Sequence, residues 1–132
     1  PTRTYAPLIK EIIDAVPHKD LHGFVHCSGG GQTKIINFGP GGMRYVKDNV
    51  FATPPLFKML QASTGQSWSE MYSVFNMGAR LEVILPEAHA NTCIDIARAC
   101  GIEAQRSGFV EASGSSKNEV HIHGEGGVHT YT

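Results

Sequence analysis

The sequence predicts an α+β domain in which helices pack on a mixed, largely antiparallel sheet. Segments with helical and with strand periodicity alternate irregularly along the chain, and strand-like segments separated by short turns dominate its C-terminal part. Neither a regular βαβ alternation nor an internal repeat is present. A length of 132 residues suits one compact domain, so we interpret residues 1–132 as a single domain.

The first predicted helix lies between Thr4, a candidate N-cap, and Pro17, which ends it. Its apolar face comprises Tyr5, Leu8, Ile9, Ile12, Ile13 and Val16. The bulky pair Phe24 and Val25 predicts a strand that runs into a glycine-rich loop. Two further strands are expected at residues 33–38 and 43–47, with a glycine-rich turn between them.

Two helices are expected in the middle of the chain. Pro54 and Pro55 open the first of them and Gly65 stops it; its inward positions are Leu56, Phe57, Met59 and Leu60. Ser67 and Glu70 have the spacing of a capping box and begin the second. The buried stripe of that second helix comprises Trp68, Met71, Tyr72 and Phe75.

The remaining elements form the C-terminal part of the predicted fold. Alternation over residues 81–85 predicts a strand that Pro86 closes, and residues 87–100 predict a helix that ends at Gly101. Cys93 and Cys100 lie on the apolar face of that helix and are expected in the core. The last strands are expected at residues 104–112, 119–123 and 128–131 and are interpreted as a β-meander.

Composition excludes several classes of function. With 11 basic and 12 acidic residues and no basic run, the chain has no signature of nucleic-acid binding. Three cysteines without CxxC spacing indicate free thiols in a reducing compartment. The sequence contains neither an apolar run long enough to cross a membrane nor a secretory leader, so we expect a cytoplasmic protein without membrane contact.

The candidate site is the loop that follows the Phe24–Val25 strand. Three consecutive glycines can turn backbone N–H groups towards one point, and such a nest of donors favours a phosphate or a carboxylate. The candidate binding residues are His26, Ser28, Gly29, Gly30 and Gly31. A tight turn without a ligand explains the glycines equally well, and the spacing matches neither a P-loop nor a dinucleotide fingerprint.

Other polar residues give weaker signals. His121 and His123 are two residues apart on a predicted strand and would point to one face, as two metal ligands could. No Cys or carboxylate at ligand spacing accompanies them, so we predict no metal site in this chain. Asn76 is interpreted as a cap of the preceding helix, with Gly78 giving the chain a tight exit.

Four stretches carry a family resemblance: PTRTY at residues 1–5, GFVHCSGGG at 23–31, PPLFKMLQ at 54–61 and EMYSVFNMG at 70–78. In this order and at these separations they resemble the C-terminal domain of the aminoimidazole ribonucleotide synthetase family, also called phosphoribosylformylglycinamidine cyclo-ligase. The MYxxFNMG and PTRxY strings are the most specific. The resemblance covers the chain from Pro1 to about Ala112.

The resemblance implies an enzyme of de novo purine biosynthesis that closes the imidazole ring of formylglycinamidine ribonucleotide and uses ATP with Mg²⁺. It also implies a homodimer of two-domain subunits, in which the N-terminal domain supplies most of the ATP and Mg²⁺ contacts and the C-terminal domain closes the cleft with its glycine-rich loop. Residues 1–132 correspond to that C-terminal domain alone. We therefore expect the isolated 132-residue chain to be inactive.

Transferred residue by residue, the resemblance places His26, Ser28 and Gly29 to Gly31 at the substrate phosphate, with Arg3 and Asn76 as possible further contacts. No catalytic residue is assigned. Cys27-Ser28 replaces the more usual Ile-Thr of this loop, which keeps the hydroxyl and loses a methyl group. The resemblance gives no role to residues 113–132.

Two alternatives remain open at this point. The chain could come from another ATP-using relative: formylglycinamidine ribonucleotide synthetase, selenophosphate synthetase, thiamine-monophosphate kinase or the hydrogenase maturation factor. It could also be a non-catalytic ligand-binding module that kept only this domain.

Overall fold

The structure is a computed structural model that describes residues 3–132. Its strands are β1 (Gly23–His26), β2 (Met43–Lys47), β3 (Leu81–Ile84), β4 (Phe109–Ala112), β5 (Glu119–Gly124) and β6 (Gly127–Tyr131). Its α-helices are α1 (Ala6–Ala15), α2 (Pro55–Thr64), α3 (Trp68–Val74) and α4 (Ala90–Ala99), and short 3₁₀ helices span His18–Asp20, Gly31–Asn37 and Glu87–His89. The predicted α+β class with a mixed sheet is confirmed.

The chain divides into two compact units. Of the described residues, the first comprises residues 3–24 and Val83–Arg106, and the second comprises Val25–Glu82 and Ser107–Thr132. Strand β1 pairs with β3 in a two-stranded sheet.

In the first unit, α1 packs against α4. Leu8 and Ile12 of α1 and Ala97 of α4 are buried, because the apolar residues of each helix recur on one face. The predicted first helix is therefore confirmed, but Ile13 of its predicted apolar face is 41% exposed. Its predicted cap is wrong, since the helix begins after Tyr5 and no side chain caps it.

The second unit is built on a four-stranded sheet with the order β4-β2-β5-β6. Strand β2 runs antiparallel to β4 and parallel to β5, and β5 and β6 form an antiparallel hairpin. The predicted β-meander is wrong, because β2 lies between β4 and β5. Local patterning indicates a strand but carries no information about its partner.

Helix α3 lies against the Gly31–Asn37 helix in the second unit and contributes two fully buried side chains, Met71 and Tyr72. Val120 and Ile122 of β5 are also fully buried. The predicted capping box is confirmed, because the Glu70 amide donates to Ser67 Oγ and the Ser67 amide donates to the Glu70 carboxylate.

Four further details differ from the sequence prediction. Residues 33–38 are not a strand, because the Gly31–Asn37 helix occupies this segment. Leu56 and Met59 are 61% and 70% exposed, since α2 turns the face of Phe57 and Leu60 inward instead. Cys100 is exposed because α4 ends one residue before it, and the strand expected at 104–112 begins only at Phe109, where pairing with β2 begins.

Candidate functional site

The glycine-rich loop begins where β1 ends, in the second unit. Cys27 is buried, and its amide donates to the Arg80 carbonyl at 2.8 Å. The chain then turns sharply: the Ser28 amide donates to the His26 carbonyl at 2.8 Å, and the Gly31 amide donates to the Ser28 carbonyl at 3.1 Å. Ser28 therefore stands at the tip of the turn, exposed together with Gly29 and Gly30.

Glycine is required at the end of this turn. Gly30 and Gly31 have φ values of 86° and 50°, in the left-handed region that side chains disfavour. Gly31 is also buried, and a Cβ built on it would lie 2.7 Å from the main-chain nitrogen of Phe75. The third glycine thus lets the loop pack directly on the chain that follows α3.

The exposed side of the loop presents hydrogen-bond donors. Within residues 3–132, no acceptor receives a hydrogen bond from the Gly29 or Gly30 amide. Lys34 Nζ lies 2.8 Å from Ser28 Oγ, so an ammonium group stands beside these amides. Two unpaired amides, a hydroxyl and a cation form a concentration of positive charge and donors that suits an oxyanion.

A polar cluster lies beneath the loop, where the sequence analysis expected none. The Gln32 side chain donates to the carbonyls of Asn76 at 2.5 Å and Ala79 at 2.9 Å. The Lys47 ammonium donates to the Gln32 main-chain carbonyl at 2.6 Å and to Gln32 Oε1 at 3.1 Å, and forms an ion pair with Glu82. Gln32 and Lys47 are both buried.

The same cluster sets the chemistry of Cys27. Burial raises the pKa of its thiol to about 12, and the negative charge of Glu82 is the next largest cause. A thiol with this pKa stays protonated at neutral pH and is a poor nucleophile. Cys27 is therefore a packed residue behind the loop.

The predicted site residues fall into two groups: those at the glycine-rich loop of the second unit, and Arg3 in the first unit. One continuous turn contains His26, Ser28 and Gly29 to Gly31. The Asn76 carbonyl lies beneath this turn, where it accepts a hydrogen bond from the Gln32 side chain. The Asn76 side chain accepts from the Gly78 amide at 3.0 Å, which fixes the tight exit after α3, and Gly78 has a φ of 103°. The expected helix cap is wrong, since Phe75 occupies the C-cap.

Arg3 is in the first unit, where its guanidinium donates to the Gly101 carbonyl at 3.4 Å, just beyond the end of α4. The first two residues of the PTRTY stretch lie outside the described residues. A ligand contact by Arg3 or by the Asn76 side chain stays a prediction.

Sequence reasoning missed Lys34. The strand expected at residues 33–38 gave no reason to place the Lys34 side chain at the loop. The observed 3₁₀ helix turns this side chain back to Ser28. The Thr33 amide and hydroxyl both bond the Gly30 carbonyl, at 3.1 Å and 3.0 Å, and start this helix. The signal that could have revealed it is Thr33 three residues after Gly30, a spacing at which a hydroxyl can bond back to the main chain.

The histidines considered as metal ligands lie on β5. His121 Nε2 lies 3.3 Å from Glu119 Oε2, and His123 is exposed. In the part of the chain from Arg3 onwards, no three His, Cys, Asp or Glu side chains are grouped as a metal ion requires. None of the helices described is long and apolar enough to span a bilayer.

Fold and loop together define an α+β domain with a glycine-rich, cation-flanked turn suited to an anionic ligand. Residues 2–121 match the family described as AIR synthase related protein, C-terminal domain. Because the match covers most of the 132 residues, the chain belongs to this family, whose superfamily consists of ATP-using enzymes. The resemblance stated from the sequence is confirmed at this level.

Proposed function

We propose that this chain is the C-terminal domain of an ATP-dependent phosphoribosylformylglycinamidine cyclo-ligase, and that its loop holds the phosphate of formylglycinamidine ribonucleotide. The observation that carries the proposal is the unpaired state, among the described residues, of the Gly29 and Gly30 amides beside Lys34. Family membership supports the ATP-using class. The MYxxFNMG and PTRxY strings favour the cyclo-ligase over its relatives.

The loop would act by binding and orienting the substrate. The Gly29 and Gly30 amides and the Ser28 hydroxyl would donate to phosphate oxygens, while Lys34 would balance part of the charge. Holding the phosphate fixes the distant end of the substrate, so that the reacting formyl and amidine groups stay in place. His26 is proposed to line the same cleft from the end of β1.

ATP and Mg²⁺ are proposed to bind mainly in an N-terminal domain, and the full-length protein is proposed to be a cytoplasmic homodimer. Bound there, ATP would supply the phosphoryl group that makes the formyl oxygen a leaving group. Among the described residues, no three His, Cys, Asp or Glu side chains are grouped to hold a metal ion by themselves, and Mg²⁺ is proposed to bind with ATP in the N-terminal domain. The isolated chain is therefore expected to bind substrate weakly and not to turn it over.

The proposal is tested by titrating the isotopically labelled chain with formylglycinamidine ribonucleotide and following the amide signals of Gly29 to Gly31. We expect these signals to move with a Kd of about 1 mM or below, a range suited to half of a binding cleft. Lys34→Met should weaken binding about tenfold, equal to about 1.4 kcal/mol. The matched control is Lys117→Met, which removes the same charge from the turn between β4 and β5.

Unmoved loop signals would contradict the proposal. An equal loss of affinity in both lysine variants would show that net charge, and not the position of Lys34, attracts the ligand. Movement of the same signals with the substrate of another ATP-using relative, and not with formylglycinamidine ribonucleotide, would assign the chain to that relative.

A further inference from the structure

A lysine is buried directly beneath the candidate loop. Lys47 is the last residue of β2, and only 5% of its side chain is exposed. Its three N–H donors have three acceptors: the Gln32 main-chain carbonyl, Gln32 Oε1 and the Glu82 carboxylate. The number of donors matches the number of acceptors, so the ammonium is fully bonded.

Gln32 connects this lysine to the loop. It follows Gly31 in the chain, and its carbonyl and side-chain oxygens are both held by Lys47. Its amide group is held from the other side by the carbonyls of Asn76 and Ala79. The residue next to the glycine turn is thus fixed at three polar atoms, whereas Gly29 and Gly30 are exposed.

Stability alone does not explain a buried ion pair at this place. Removing two charges from water costs about as much as their attraction returns, and an apolar pair of similar volume is often at least as stabilising. Glu82 Oε2 is moreover buried and has no hydrogen-bond partner among residues 3–132. A pair with this cost is best explained by the geometry that it imposes on Gln32.

We propose that Lys47 is a positioning residue that, braced by Glu82, holds Gln32 and thereby sets the direction of the Gly29 and Gly30 amides. The identity of the ligand rests on the proposed function, whereas the effect on the loop does not. Neither Lys47 nor Glu82 would touch the ligand. Their effect would pass through Gln32 and the main chain of Gly31.

The principal test variant is Lys47→Met/Glu82→Met, which removes both buried charges at similar volume and leaves the Gln32 oxygens without their donor. Glu82→Gln is the intermediate variant, because it keeps an acceptor for Lys47 but leaves the ammonium buried without its anion. The matched control is Arg44→Met on the same strand, whose guanidinium bonds Glu111 and Glu119 and not the loop.

Two measurements are made on each folded variant. The first, on the ligand-free chain, compares the amide chemical shifts and hydrogen exchange of Gly29 to Gly31 with those of the wild type. The second is the affinity for inorganic phosphate, followed on the same signals. In the double variant we expect shifted, faster-exchanging loop amides and about tenfold weaker phosphate binding, the size typical of losing a residue that orients a ligand-contacting group. Arg44→Met should resemble the wild type, and Glu82→Gln should lie between the wild type and the double variant.

The proposal is overturned if the double variant keeps wild-type loop signals, or if Arg44→Met changes them as much. If the double variant does not fold, Lys47→Leu/Glu82→Leu replaces it, with the same shifts expected and wild-type shifts again overturning the proposal. A wild type that fails to bind phosphate would count against the proposed function, while the ligand-free measurement would still decide whether Lys47 positions the loop.

Discussion

The α-carbon of Gly31 packs against the main chain of Phe75. A Cβ at position 31 would lie 2.7 Å from the Phe75 nitrogen, closer than side-chain carbons approach a backbone atom. This contact joins the glycine-rich loop to the FNMG string, two stretches more than 40 residues apart in the chain that both carry the family resemblance. The two strings therefore serve one structure: the loop and the surface on which it rests.

Gly31→Ala should destabilise the protein by about 3 kcal/mol, because the methyl group overpacks the contact with Phe75 and φ at this position is 50°. Urea unfolding of the purified chain measures the change. The matched control is Gly29→Ala, where a Cβ meets no atom within 4 Å and φ is not positive. A Gly31→Ala variant as stable as this control would contradict the close packing described for the loop.

Local signals in the sequence predicted much of the fold. Ser67 and Glu70 fixed the start of α3, and Gly65 fixed the end of α2, because capping depends on residues a few positions apart. The position of β2 between β4 and β5 could not be predicted in this way. It depends on contacts such as that of Asn118, whose side chain bonds the Met43 amide and the Ile36 carbonyl, 75 and 82 residues away.

The candidate site was predictable only in part. The three glycines predicted a turn with hydrogen-bond donors, and Ser28 and Gly29 to Gly31 form this turn. Lys34 and Lys47 were missed because each depends on folding that a pattern does not encode. Lys34 reaches the loop only because residues 31–37 form a 3₁₀ helix, whereas the apolar pattern there predicts a strand. Lys47 is bonded only because Gln32 and Glu82 lie next to the end of β2 in the folded chain.

Removing one partner of the buried ion pair should cost more than removing both. Lys47→Met leaves the Glu82 carboxylate buried without its cation and should lower the free energy of unfolding by about 3–5 kcal/mol. Lys47→Met/Glu82→Met leaves no charge buried without its partner and should cost less, about 1–3 kcal/mol, because the buried Gln32 oxygens still lose their donor. Urea unfolding of each variant and of the wild type at pH 7 measures these changes in free energy. Equal destabilisation in the single and double variants would show that the two charges do not interact.

The buried thiol of Cys27 should make stability fall at alkaline pH. Its pKa is raised to about 12 in the folded chain, whereas an unfolded cysteine ionises near pH 8.5. The unfolded state therefore loses its proton first, and stability present below about pH 8.5 should decline at up to about 1.4 kcal/mol per pH unit until about pH 12. Urea unfolding of the wild type and of Cys27→Ala between pH 7 and pH 10 measures the difference. Burial also raises the pKa values of Tyr45 and Tyr131, but their contributions to stability are the same in both proteins and cancel in the difference. Parallel curves for the two proteins would mean that the Cys27 thiol already ionises in the folded state near its ordinary pKa.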